Sequence, residues 1–129
     1  MTPTVLLFNF SPERASAIQK LCMTHRLRTK RIAPCQFSLP LQALLLEAAE
    51  QLASPEEPTF TDEMMVFAGL APGQLNNFLH AWRKAKLAPV PLKAILTPTN
   101  SSWTPVQLKQ ELRLEHEAMQ AGNRAHTQK

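Results

Sequence analysis

The chain carries one pattern twice. At an offset of 60 residues, Val5, Leu6, Leu7, Phe10 and Pro12 meet Met65, Val66, Phe67, Leu70 and Pro72. Slightly later, Ile32-Ala33-Pro34 meets Leu96-Thr97-Pro98, and Pro40 meets Pro105. Apolar positions and helix-opening prolines coincide over both halves, which is the signature of an internal duplication.

Each half reads β-α-β-α. Thr4 to Asn9 is a continuous apolar run of the kind that forms a strand buried on both faces. Ser11-Pro12 then supplies an N-cap and a proline for the first helical position. Ala15, Ile18, Cys22 and His25 follow at helical spacing. A second, more polar strand spans Leu27 to Ala33, and a second helix spans Pro40 to Leu52 with Leu41, Leu44, Leu45, Ala48 and Leu52 on one side. Residues 53–59 are proline-rich and acidic and read as a connection between the halves. In the second half the strands are Met64 to Ala68 and Leu92 to Thr97. One helix opens at Ala71-Pro72 with Leu75, Phe78, Leu79 and Trp82 inward. The last helix opens at Thr104-Pro105 with Leu108, Leu112, His116 and Met119 on one stripe. The expected organisation is a single α/β domain over residues 1–122, with repeat one at 1–53, a linker at 54–62 and repeat two at 63–122. Residues 123–129 are expected to form a flexible tail.

Strands separated by helices call for right-handed crossovers and parallel pairing. Two β-α-β-α repeats related by a twofold along the strand direction predict one four-stranded parallel sheet of order 2-1-3-4, with helices on both faces. The middle strands are the most apolar, whereas strand two carries Arg28, Lys30 and Arg31 as an edge strand should. Ligands in such sheets bind beyond the carboxyl ends of the strands, at the switch point between strands one and three.

The four strand-to-helix loops, Asn9 to Ser11, Pro34 to Ser38, Gly69 to Ala71 and Pro98 to Thr104, contain no Asp, Glu, His, Lys or Arg. Acid–base chemistry needs a titratable group beside the reacting atoms, and this rim offers only Cys35. No phosphate-loop, dinucleotide or nucleophile-elbow motif is present, and no Cys/His spacing fits zinc. The sequence therefore predicts no catalytic residue, no metal and no cofactor. It predicts a binding module for a small polar or anionic ligand, or for a protein partner. Its rim is formed by Asn9, Ser11, Thr97, Thr99 and Asn100 and closed by Trp103. Thr104 with Gln107 makes a capping box, and Trp103 is spaced to pack on Leu108. Capping does not account for Thr99 and Asn100, so Asn100 is expected to serve a ligand rather than the fold.

Two other readings stand beside this one. Lys93, Glu115 and His116 would transfer protons in a pocket closed by Trp103 if the chain is an enzyme. Arg26, Arg28, Lys30 and Arg31 would contact phosphates if it binds nucleic acid. The net charge is +4, and residues 63–129 hold the whole excess. Basic residues at helix C-termini, however, complement the helix dipole without a nucleic acid. No apolar stretch approaches the roughly 20 residues of a membrane span, and nothing resembles a signal peptide, so the chain is expected in the cytoplasm with Cys22 as a reduced core residue.

The run Pro91-Leu92-Lys93-Ala94-Ile95-Leu96-Thr97-Pro98-Thr99-Asn100, followed by Trp103-Thr104, Leu108, Glu111-Leu112 and Glu115-His116, resembles the signature of a small bacterial family defined only as a domain of unknown function. The similarity covers about 55 residues from Met64 onward. It implies a bacterial origin, and that the loop after strand four and the Glu111, Glu115 and His116 face belong together. It implies no activity.

Overall fold

The computed structural model describes residues 3–32, 39–45 and 60–115. Four strands form one sheet: β1 (Thr4–Phe8), β2 (Arg28–Ile32), β3 (Met64–Ala68) and β4 (Leu92–Ile95). The helices are α1 (Pro12–Thr24), α2 (Leu41–Leu44), α3 (Pro72–Lys84) and α4, helical over residues 105–115. The strand order is β2-β1-β3-β4, as the sequence predicts. The expected continuation of α2 past residue 45, the loop holding Cys35, the proline-rich connection, His116 and the tail all lie outside the described residues.

Local chemistry explains the elements. Every residue of β1 and β3 is buried, consistent with central strands covered on both faces. Ser11 caps α1 by accepting from the Arg14 N–H at 3.3 Å, and Pro12 occupies the first turn. At α3 the cap side chain is missing, and Gln74 Oε1 instead accepts from the Ala71 N–H at 2.9 Å. Positive φ falls at equivalent places in the two units: Asn9 (65°) with Gly69 (77°), and Arg26 (59°) with Lys86 (57°). These are the turns after the inner strand and after its helix, so the two units share these backbone features.

One expectation is corrected. Within each unit the strands are parallel, but β1 and β3 run antiparallel, so the sheet is mixed rather than all parallel. Leu6 pairs with Val66, its own equivalent in the other unit, and Val5 and Leu7 pair with Phe67 and Met65. The units are therefore related by a twofold perpendicular to the sheet, passing through the Leu6–Val66 pair, not by one along the strands. A perpendicular axis keeps faces. The helices α1 and α3 pack together on one side through Ile18, Cys22, Phe78 and Trp82, and Leu41, Leu44 and Leu108 pack on the other with Phe8 and Phe60.

The reason lies where the chain enters β3. Asn9 Nδ2 donates to the carbonyls of Phe60 (3.1 Å) and Asp62 (2.9 Å). Arg14 Nε meets Glu63 Oε2 at 2.7 Å, and Arg14 Nη2 donates to Ala88 O (2.8 Å) and Pro89 O (3.1 Å). The same guanidinium lies over the rings of Phe10 and Trp82, 5.4 and 5.9 Å from their centroids. Together these contacts hold residues 60–63 at the carboxyl end of β1, so β3 must start there and run back. Phe60, within the expected linker, is buried against Phe8 with ring centroids 6.4 Å apart. Hydrophobic patterning carries no information on strand direction, and the Asn9 and Arg14 contacts join residues about 50 to 75 apart.

Asn9 combines a left-handed backbone with two hydrogen bonds. Asn9→Gly keeps the first and loses the second, and should cost about 1–3 kcal/mol in urea unfolding. Asn9→Ala keeps a β-carbon at positive φ without the polar side chain that lets asparagine adopt it, and should cost about 1 kcal/mol more than Asn9→Gly. Equal effects would mean the backbone conformation is unimportant.

Cys22 is a free, buried thiol, as the sequence predicts. Burial raises its pKa. The unfolded thiol, at an ordinary value near 8.5, thus releases its proton first. Its contribution to stability is complete below that value and is lost as pH rises through the folded value. Stability should fall above about pH 8.5, and Cys22→Ala should flatten that alkaline slope; an unchanged slope would assign it to other groups.

Candidate binding groove

Because β1 and β3 are antiparallel, the strand-to-helix loops separate into two groups at opposite ends of the sheet. Asn9 and Ser11 lie at one end, whereas Thr97, Thr99 and Asn100 lie at the other, with β4. The shared crevice expected for these five residues does not form. Each group borders its own hollow.

The hollow beside β1 and β2 measures about 640 Å³ and is lined by Leu7, Asn9, Phe10, Ser11, Arg31, Ile32 and Thr61. Two of its polar groups are committed to the fold: the Asn9 amide holds the entry to β3 and the Ser11 hydroxyl caps α1, while Arg31 and Thr61 are exposed at its margin.

The second hollow, about 490 Å³, lies along the outer edge of β4. Phe67, Leu75 and Leu79 approach from the α1–α3 side, and Trp103, Leu108 and Leu112 from the other. The groove therefore straddles the sheet edge, with Lys93, Ala94 and Ile95 as its floor. Leu75 and Leu79, expected inward, are half-buried and line the groove. Ile95 is 54% exposed. Lys93, Glu111 and Glu115 supply the charges, and all three are exposed. Thus Lys93 and Glu115, two of the three residues of the enzyme reading, share the groove, while His116 lies outside the described residues.

Thr97, Thr99, Asn100 and Trp103 close the end of this groove. Asn100, only 8% exposed, is occupied by the chain itself. Its Oδ1 accepts from the Thr97 N–H (2.8 Å), its Nδ2 donates to Ile95 O (3.0 Å), and its N–H donates to Thr97 Oγ1 (3.2 Å). The expectation that Asn100 serves a ligand rather than the fold is revised: it shapes the loop. Thr104 Oγ1 accepts from the Gln107 N–H at 3.3 Å, consistent with its capping role. Trp103 packs half-buried on the cluster containing Leu108. The carbonyls of Ser101 and Trp103 accept from the Gln42 and Leu41 N–H groups, so this loop also seats the start of α2. Thr99 is exposed, and among the described residues its side chain makes no hydrogen bond.

Of the basic residues proposed for nucleic acid, Lys30 Nζ donates to Leu44 O at 2.7 Å, and Arg26 stands beyond the cap of α1. Among the described residues, no three His, Cys, Asp or Glu stand close enough to hold a metal ion. No helix among them is long and apolar enough to cross a membrane.

A family model described as Domain of unknown function (DUF3783) matches residues 63–119. The match starts one residue before β3 and runs through α3, β4 and the described part of α4, so it covers the unit that builds the groove. No curated protein and no solved structure matches the chain.

Removing the Asn100 side chain leaves the Thr97 N–H and Ile95 carbonyl without their partner. Asn100→Ala should therefore cost about 2–3 kcal/mol, whereas Thr99→Ala should stay within about 0.5 kcal/mol. Chemical denaturation of both variants checks this, and a neutral Asn100→Ala would return that residue to the ligand side.

Proposed function

We propose that the chain is a non-catalytic binding module and that the groove along β4 is its ligand seat. The observation that carries this reading is the groove itself. Its volume, about 490 Å³, falls within the roughly 300–1,000 Å³ of ligand pockets, and it joins apolar walls to a few convergent polar groups. Both hydrophobic cores contribute walls, so the shape is fixed by the fold rather than by one loop. The charged groups Lys93, Glu111 and Glu115 are exposed at its margin, which suits orienting a ligand better than sequestered proton transfer. The ligand is a small polar molecule or a segment of a protein partner. A buried, reduced Cys22 fits a cytoplasmic setting, and the resemblance of the second half supports a bacterial source.

A ligand present at 100 times its Kd should add about 2.7 kcal/mol to stability. Screening metabolites and peptides by thermal shift, then mapping hits by amide chemical shifts, tests the reading. Hits should move residues 93–95 and 97–103, and Ile95→Arg should weaken them at least tenfold while leaving the melting temperature nearly unchanged. Hits that map to Asn9, Ser11 and Arg31, or no hits at all, would overturn it, and turnover of a groove ligand would replace it with the enzyme reading.

A further inference from the structure

The two outer strands are equivalent in the duplication but differ at their exposed positions. On β2, at one edge, Arg28 and Arg31 are exposed and Lys30 is tied to Leu44 O. Charged edge strands resist pairing with another chain. On β4, Ile95 stands where β2 has Arg31, and Lys93 is the one charge. This edge is apolar and walled on both sides, whereas its counterpart is guarded.

The backbone of that edge asks for a strand. Leu96 N–H donates to Phe67 O, so in this parallel ladder Leu92, Ala94 and Leu96 turn their polar groups toward β3. Lys93 and Ile95 therefore point theirs into the groove. Asn100 Nδ2 takes the Ile95 carbonyl and ends the edge there. Among the described residues, nothing takes the Lys93 N–H, the Lys93 carbonyl or the Ile95 N–H.

The charges say what the strand carries. Alternate side chains of a bound strand would face the two walls. The α3 wall offers Leu75, Leu79 and Ile95, together with Lys93; the α4 wall carries Glu111 and Glu115 on its rim. Residues four apart on a helix are separated by about 6 Å along its axis, and residues two apart on a strand by about 6.6 Å. Two basic side chains at alternate strand positions thus match Glu111 and Glu115, with their aliphatic stems over Leu112. A second copy of the chain fits less well, because a twofold through the β4 edge would bring the acidic α4 rims together.

We propose, resting on the binding-module reading above, that the groove takes an extended segment of a protein partner with alternating apolar and basic residues, added as a fifth strand beside β4. The mode is pairing to an exposed sheet edge, with the backbone supplying hydrogen bonds and the walls supplying specificity.

The test uses the full chain and three blocked hexapeptides: alternating valine and lysine, alternating valine and glutamate, and the valine–lysine peptide methylated at its backbone nitrogens. The valine–lysine peptide should shift the Lys93 and Ile95 amides, and the other two should bind at least tenfold more weakly. The exposed double change Glu111→Lys with Glu115→Lys should reverse the preference between the first two peptides. Equal binding of all three, or a preference the double change leaves unaltered, overturns the proposal. Metabolite hits in the groove with no peptide response overturn it while sparing the binding-module reading; silence from both removes both. Self-association in sedimentation that Ile95→Arg abolishes would give the edge to a second copy and likewise overturn it.

Discussion

The antiparallel junction of β1 and β3 organises everything else. Its direction is held from outside the strands by Asn9 and Arg14, which fasten residues 60–63 to the carboxyl end of β1. From that direction follow the perpendicular twofold, the gathering of α1 with α3 on one face, and the division of the loops between two ends of the sheet. Arg14 suits the task because its planar fork reaches a carboxylate and two carbonyls while its face covers two rings. With its side chain 19% exposed, it is a half-buried clamp rather than a surface ion pair.

Much of this was legible in the sequence, for reasons that are local. The apolar runs of β1 and β3, Ser11-Pro12, Ala71-Pro72 and Thr104-Pro105 mark strands and helix starts by chemistry acting within a few residues. The offset of 60 revealed the duplication and the strand order. Direction was not legible, because an apolar strand buried on both faces looks the same whichever way it runs. Placing the loops of both units in one crevice followed from that error. The structural part played by Asn100 was not legible for a related reason: a polar side chain in a loop serves the backbone or a ligand equally well, and only the positions of Thr97 and Ile95 show its bonds within the loop. The groove had a faint signal, an isoleucine in β4 where β2 carries arginine.

The two units share a backbone plan and differ in their side chains. The backbone has stayed symmetric to the level of its left-handed turns, while side chains have diverged. Gln74 occupies the place of Arg14 and helps begin α3, so the clamp exists once. The loop after β4 seats α2 through Ser101 and Trp103, which ties the groove end to the first unit. A domain model that matches the second unit alone therefore describes a surface whose support comes from both.

The guarded β2 edge has a consequence for valency. A symmetric pair of receptive edges would make each molecule bivalent, and edge-to-edge addition would then have no natural end, giving chains or fibres. Arginines on one outer strand leave a single receptive side. Under the addition proposed at β4, pairing would stop after one step, and stoichiometry would follow from the charges on the other outer strand.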